Sequence, residues 1–224
     1  GSAVVPVAIA NDTTTEGSET MTVTAGGASA STTIADTSTE VGSIYALTAG
    51  PDAFTGNSGD DTFNSFVASS WSTGDTIDGV SGTDSFNITS STAVAAPVGI
   101  TVSNIDTSTI TTTGTVTLNT STWTGLTQLT STNAGAATLT AAATTDITST
   151  NTAQAAAAIS VLGGKDVSVT ANGKTTAGST IAVGSATAAP AGTVTVTTVA
   201  NAADGVTLGT TTVTGGTEVT VTNT

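Results

Sequence analysis

The chain contains no cysteine, no histidine and no arginine. Without cysteine, disulfides contribute nothing to its stability, so metal or oligomerisation must substitute. The same absences remove the usual nucleophile–base pairs and any guanidinium clamp for an oxyanion or phosphate, so the chain reads as a non-enzyme. Paired carboxylates, as in glycosidases, are the one catalytic arrangement left open. Its only cations are Lys165 and Lys174, against 16 acidic residues, for a net charge of −14. Nucleic acid is thereby excluded as a partner, because phosphate contacts need a basic surface, and an anionic membrane surface is disfavoured. No run of eighteen apolar residues occurs, so no segment is expected to insert in a membrane as a helix. Aromatic residues make up 3% of the chain, so a core must be built from Val, Ile, Leu, Ala and Thr. Gly1-Ser2 reads as a cloning remnant, which implies a fragment of a longer protein.

What the chain does have is a paired nine-residue block. Gly56-Asn57-Ser58-Gly59-Asp60-Asp61-Thr62-Phe63-Asn64 fits G-G-x-G-x-D-x-U-x, where U is a large apolar residue, with Asn57 in place of the second glycine. Gly79-Val80-Ser81-Gly82-Thr83-Asp84-Ser85-Phe86-Asn87 fits it again, and weaker copies lie upstream at Gly50-Pro51-Asp52-Ala53-Phe54 and Gly74-Asp75-Thr76-Ile77. Glycine permits the tight turn. Its carbonyl and the aspartate are hard oxygen ligands of the kind calcium gathers, six to eight at about 2.3–2.6 Å. Phe54, Phe63, Ile77 and Phe86 then point the other way and fill the interior. The spacing predicts that Asp52 stacks on Asp75 and Asp61 on Asp84, giving two Ca2+ sites, one on each edge of a coil. The expected ligands are Asp52, Asp61, Asp75 and Asp84, with Gly50, Gly56, Gly59, Gly79 and Gly82. Asp60, Asp78 and Asn57 are auxiliary candidates. A five-residue insertion, Ser65–Ser69, should bulge from the coil. The plain alternative is a set of ordinary Asp-Gly turns.

Three segments follow. Residues 1–40 alternate as strands at Met21–Thr24 and Ser31–Ile34 around a hairpin-like Ala25-Gly26-Gly27-Ala28. Residues 41–90 hold the nonapeptides. Residues 91–224 carry short β-branched strands, expected at Thr115–Leu118, Leu126–Leu129, Ala137–Thr140, Asp146–Ser149, Ile159–Val161, Val167–Thr170, Thr180–Val183, Val194–Thr197, Val206–Leu208 and Val219–Thr222. Asn151–Ala158 reads as a connector, with one or two helical turns as the alternative. A parallel β-helix is favoured over an antiparallel sandwich, because each thin coil then buries its face against its neighbours. Thr-x-Thr steps are frequent but follow no constant period, so no flat regular threonine array is expected. Three N-x-[ST] sites, at Asn11, Asn87 and Asn119, are what chance yields in this composition. Lys165 and Lys174 read as solvated turn residues.

The stretch Leu47–Phe63, the second block and the downstream Gly99–Thr107, Val116–Ser121 and Gly125–Leu129 together resemble RTX-type calcium-binding bacterial surface-layer (S-layer) proteins and large secreted RTX adhesins. Ile9–Thr20 and Thr33–Asp36 resemble the last strands of a Calx-β sandwich module. In such modules Glu16, Glu19 and Asp36 would face calcium; here they are read as solvated turn acids. The resemblance implies an all-β fold, a calcium-binding β-roll leading into a parallel β-helix (β-solenoid) after a sandwich remnant. It also implies type I secretion, a place on the bacterial cell surface, self-association into a lattice or oligomer, and cell-surface polysaccharide as a further partner.

Overall fold

The computed structural model describes residues 17–35, 40–66, 70–153, 155–174, 178–200 and 207–224. Among these, every regular element is a strand and no helix occurs. The cause lies in the local sequence, where an apolar or small residue alternates with Thr or Ser so that one strand face is buried and the other wet. β1 (Glu19–Ala25) and β2 (Ala28–Ile34) form an antiparallel hairpin. Gly26 and Gly27, at φ 59° and 83°, supply the two left-handed positions that a two-residue hairpin turn needs. Both strands are largely exposed. Of the sandwich-type acids, Glu19 opens β1 and is exposed; Glu16 and Asp36 lie outside the described residues.

The rest is a parallel β-solenoid of about eight coils. One wall is a nine-stranded sheet. It contains β3 (Ile44–Ala46), β5 (Thr62–Ser65), β7 (Ser85–Ser90), β10 (Thr107–Thr112), β12 (Gln128–Asn133), β14 (Asp146–Asn151), β16 (Val167–Lys174), β18 (Thr193–Ala200) and β20 (Glu218–Asn223). The opposite wall is made in two parts. A three-stranded sheet of β4 (Ala53–Thr55), β6 (Thr76–Asp78) and β9 (Thr101–Ser103) serves the first coils. A six-stranded sheet of β8 (Val94–Ala95), β11 (Val116–Asn119), β13 (Ala137–Ala141), β15 (Ala158–Gly163), β17 (Thr180–Val183) and β19 (Thr211–Val213) serves the later ones. The coil carrying β7, β8 and β9 belongs to both and is where the cross-section changes. The large sheet crosses residues 90 and 91 without a break, so the nonapeptide and Thr/Ala-rich segments share one wall.

Like residues stack along the axis. One interior column runs Phe63, Phe86, Ser108, Leu129, Ile147, Val167 and Val194. On the six-stranded side Leu118, Leu139, Val161 and Val183 form another. All of these are buried. Phe63, Ile77 and Phe86 fill the interior as the motif requires, while Phe54, in the first coil, is half-buried. Tyr45 stacks on Phe63 with ring centroids 4.8 Å apart.

Ten strands were expected after residue 91, and nine of them form close to their expected places. Thr207 and Leu208 carry no strand; the strand is β19, and Val206 lies outside the described residues. The register explains the shift, because Ile181 pairs with Thr211. A Cβ added to Gly209 would sit 2.1 Å from the Ser179 carbonyl oxygen, so Leu208-Gly209 is a corner of backbone against backbone. Asn151–Ala158 connects β14 to β15, with Gln154 outside the described residues. Of the insertion, Ser65 closes β5 and Phe66 is 61% exposed; Val67, Ala68 and Ser69 lie outside the described residues. Lys165 is exposed and pairs with Asp166 at 3.5 Å and Asp146 at 3.8 Å.

Leu129→Ala should cost about 2–5 kcal/mol, the range for deleting a fully buried aliphatic side chain. Thr130→Ala, one residue along but facing outward, should stay within about 0.5 kcal/mol. Urea unfolding of the two variants measures the difference; equal losses would show that Leu129 is not part of a packed column.

Candidate metal centre

Strand ladders satisfy backbone amides only along the walls. At the corners the amides need other acceptors, and the aspartates supply them. Register places Asp61 over Asp84 and Asp52 over Asp75, as the spacing predicts, and hydrogen bonds join each pair. The Asp61 amide donates to Asp84 Oδ1 at 2.7 Å and the Asp52 amide to Asp75 Oδ1 at 2.9 Å, each across 23 residues. The pairs lie on different corners, one leading into the nine-stranded wall and the other into the three-stranded one.

The two corners differ. On the Asp52 corner each carboxylate oxygen has a donor. Asp52 accepts the Thr48 amide (2.6 Å) and hydroxyl (3.0 Å). Asp75 is fully buried and accepts the Ser72 amide (2.6 Å), the Ser72 hydroxyl (3.1 Å) and the Asp52 amide. Gly50 has open space where a Cβ would stand, so no cradle forces glycine there.

On the other corner the column is longer than the nonapeptides indicate. Asp61 accepts the amides of Ser43 (2.6 Å) and Asn57 (2.7 Å). Asp84 accepts from Asp61, and its own amide donates to Asp106 Oδ2 at 2.8 Å. Asp106 is thus a third acid of the column, 22 residues beyond Asp84. It lies outside the nonapeptide pattern because its turn, Ser103-Asn104-Ile105-Asp106, has no glycine. The available signal was the coil-length spacing and Ile105 just before it, which is fully buried.

Asp84 is 1% exposed and its Oδ2 is buried with no hydrogen-bond partner among the described residues. A Cβ on Gly79 would stand 2.2 Å from that oxygen and 2.1 Å from the Asn104 carbonyl oxygen. Gly56 repeats the arrangement, its Cβ site falling 2.1 Å from Asp61 Oδ2 and 2.7 Å from the Gly79 carbonyl oxygen. These glycines are therefore demanded by the close approach of carboxylate and carbonyl. Gly59 and Gly82 serve the stacking itself: their Cβ sites fall 2.1 Å from the Glu40 carbonyl oxygen and 2.4 Å from that of Gly59. Val80 occupies the second-glycine position at φ 71°, a left-handed conformation costly for a β-branched residue and typical of sites under constraint. A cavity of 150 Å³ opens here, lined by Val80, Ser81, Gly82, Asp84, Asn104, Asp106 and Gly125.

The auxiliary residues hold the turns. Asp60, exposed, accepts the Thr83 amide (2.7 Å). Asp78 accepts the Val80 amide (3.1 Å) and the Asn104 side-chain amide (2.7 Å). Asn57 accepts the Gly59 amide and donates to the Val41 carbonyl. No three acidic, His or Cys side chains converge closely enough to chelate a metal by themselves among the described residues. A cation at the Asp84 corner would combine carboxylates with backbone carbonyls. The donor set fits a hard divalent ion: an orphaned carboxylate oxygen, a neighbouring carbonyl and no soft ligand.

No protein-family profile matches the chain, and no curated protein is significantly similar to it.

The outer face of the nine-stranded wall corrects one expectation. Thr89, Thr111, Thr132, Thr150, Thr170, Thr197 and Thr222 form one unbroken file across seven strands. Thr109, Thr130, Thr148, Ser168, Thr195 and Thr220 form a second beside it. Strand geometry spaces them about 4.8 Å across strands and about 6.7 Å along them. The array is regular although the sequence period is not, because the connections absorb the variation: successive coils differ by 22 residues at Asp84–Asp106, 20 at Asp146–Asp166 and 27 at Asp166–Thr193.

Burial pushes the Asp84 carboxyl above its ordinary range; the Asp61 amide opposes this, and the negative charges of Asp61, Asp106 and Asp60 add to it. The fold favours the neutral form more than the unfolded chain does, so this group's stabilising contribution is complete below the ordinary carboxylate pKa. It is lost as pH rises through the raised value. In chelator, Asp84→Asn should therefore melt higher than the parent at neutral pH, the two converging on acidification. Melting curves across pH test this, and parallel curves would remove Asp84 as the source.

Proposed function

We propose that the chain is a calcium-stabilised extracellular structural module of a bacterial surface-layer protein, forming or supporting a cell-surface lattice. The observation that carries this reading is the buried, unpartnered Oδ2 of Asp84 in a column of three stacked aspartates. A buried carboxylate is costly unless paired, and the chain has two cations in all, one of which, Lys165, pairs with Asp146 and Asp166. A divalent ion held by Asp84 and Asp106 with the carbonyl of Asn104 offsets the repulsion and rivets the coil where the cross-section changes. Asp61 and the Gly79 carbonyl are the corresponding groups one coil earlier. Extracellular modules bind calcium at about 10⁻⁴–10⁻³ M. At a hundredfold excess over the dissociation constant one site adds about 2.7 kcal/mol, a large share of a typical domain's about 5–15 kcal/mol. The chain stays loose at cytosolic calcium and orders outside the cell. The absence of cysteine and the acid-rich turns accord with that.

Calcium should raise the melting temperature strongly. Asp84→Ala and Asp106→Ala should each remove most of that rise, and the double variant should lose little more. Asp52→Ala should lower the melting temperature equally with and without calcium. A parent that melts identically in calcium and chelator overturns the reading.

A second reading is favoured by the threonine files. They suit a module of a type I-secreted adhesin that binds a regularly spaced surface, such as ice or an ordered glycan, with paired rows of methyl and hydroxyl groups. Thr150→Tyr, in the middle of one file, should abolish inhibition of ice recrystallisation with little change in melting temperature. A parent with no such inhibition leaves the lattice reading alone.

A further inference from the structure

In the nine-stranded wall, β16 loses register with β18 after Ala171. Ala171 pairs with Thr198 and Lys174 with Ala200, so Asn172 and Gly173 stand together against Val199 alone, the two-against-one count of a β-bulge. On the other side the ladder with β14 ends at the pair of Asn151 and Ala171. Asn172 and Gly173 therefore have no register partner on either neighbouring strand. The Asn172 side chain is exposed. Gly173 sits at φ 70°, with open space where a Cβ would stand. This is also the chain's single Asn-Gly pair. Other asparagines differ on each count. Asn133 and Asn151 are fully buried and donate their side-chain amides to the Gly135 carbonyl. Asn119 is exposed, but its Oδ1 accepts the Ser121 amide and threonine follows it.

An asparagine carboxamide is an electrophile one residue away from a backbone nitrogen, and asparagine is among the thermolabile residues for that reason. Reaction requires the chain to turn about Asn172 until Cγ meets the Gly173 nitrogen. A strand held by ladder bonds resists that turn, whereas backbone outside the ladder opens locally at little cost. With no Cβ on Gly173, the approach is uncrowded. We propose that Asn172 is a site of spontaneous self-modification. The Gly173 nitrogen gives up its proton and bonds to Asn172 Cγ, the bond from Cγ to the side-chain nitrogen breaks, and ammonia leaves carrying the proton. A five-membered cyclic imide results. Water then adds to one of its two carbonyls and opens the ring, giving aspartate or isoaspartate. The net change is hydrolysis of one amide by one water, with no oxidant or cofactor. Each event takes the net charge one unit further negative. Isoaspartate also lengthens the main chain by one methylene, at a bulge that already holds a surplus residue, so the pairs up to Ala171 and Thr198 keep their register. The site is independent of calcium, since no residue of the aspartate column takes part.

The sequence makes the test direct. Lys165 and Lys174 are the only cations, so trypsin releases the peptide Asp166–Lys174, in which Asn172 is the sole asparagine. The full chain, incubated in mildly alkaline buffer with calcium, should show this peptide gaining the mass difference between an amide and an acid, with isoaspartate among the products. Folded protein should convert at a rate within about tenfold of the same chain in urea, a barrier difference under about 1.4 kcal/mol. Asn119, read in a peptide from a second protease, should stay an amide over the same interval. Gly173→Ala should slow conversion about tenfold, again about 1.4 kcal/mol of barrier, and Asn172→Gln should abolish it, because its ring would need six members. The comparison with urea uses the parent alone and stands whether or not either variant folds. Three results would overturn the proposal: a folded chain that keeps the amide while the urea sample loses it, conversion of Asn119 at the same rate, or aspartate formed with no isoaspartate, which would mean direct hydrolysis without the imide.

Discussion

Successive coils of this chain meet in register, backbone against backbone, and nearly everything else follows from that contact. Strand ladders satisfy the walls. Corner amides have no strand opposite, and an acid on the neighbouring coil takes them: Asp84 for Asp61, Asp106 for Asp84, Asp75 for Asp52, Asp166 for Thr193. Corners must also be thin enough for coils to stack at strand spacing, which is why glycine stands against carbonyl at Gly56, Gly59, Gly79 and Gly82. The core is narrow, with Leu, Ile and Val in single columns and only a few aromatics near its first coils. A coil has little hydrophobic energy of its own and depends on the coils it touches.

The contact also explains which parts of the structure were legible from residues alone. A nonapeptide carries its own register, so the pairing of Asp52 with Asp75 and of Asp61 with Asp84 could be read directly. The alternation of Val, Ile and Leu with Thr marked the later strands for the same local reason. What could not be read depended on coil length. Asp106 sits in a turn built on Asn104, at φ 53°, rather than on glycine, and so left no motif. The threonine files are invisible in a sequence whose coils vary in length, because register is set by the interior columns. The strand at Thr211–Val213 was displaced for that reason too, since Ile181 on the neighbouring coil decides where it begins.

Two of the buried polar atoms without a partner among the described residues, Asp84 Oδ2 and Trp71 Nε1, sit near one coil. β7, β8 and β9 belong to the turn of chain in which the three-stranded back wall gives way to the six-stranded one. Asp84 and Asp106 flank that coil at one corner, and a cavity lined by Trp71, Val94 and Ala95 opens at the start of its new wall. Other buried polar atoms without a partner among the described residues, Ser131 Oγ, Asn133 Oδ1 and Ser149 Oγ, lie on β12 and β14 in the regular coils.

The strands run across the solenoid axis and the hydrogen bonds between coils run along it. A pull on the two ends along that axis therefore loads those bonds in tension, a few at a time, rather than in shear across a whole strand. Coils would peel in sequence from an end, each releasing its own length of chain, instead of the body failing at once. An ion between neighbouring turns would act as a stop against that peeling. Under such a load the aspartate column becomes a mechanical part, and its position beside the transition coil determines how far an unravelling end can travel.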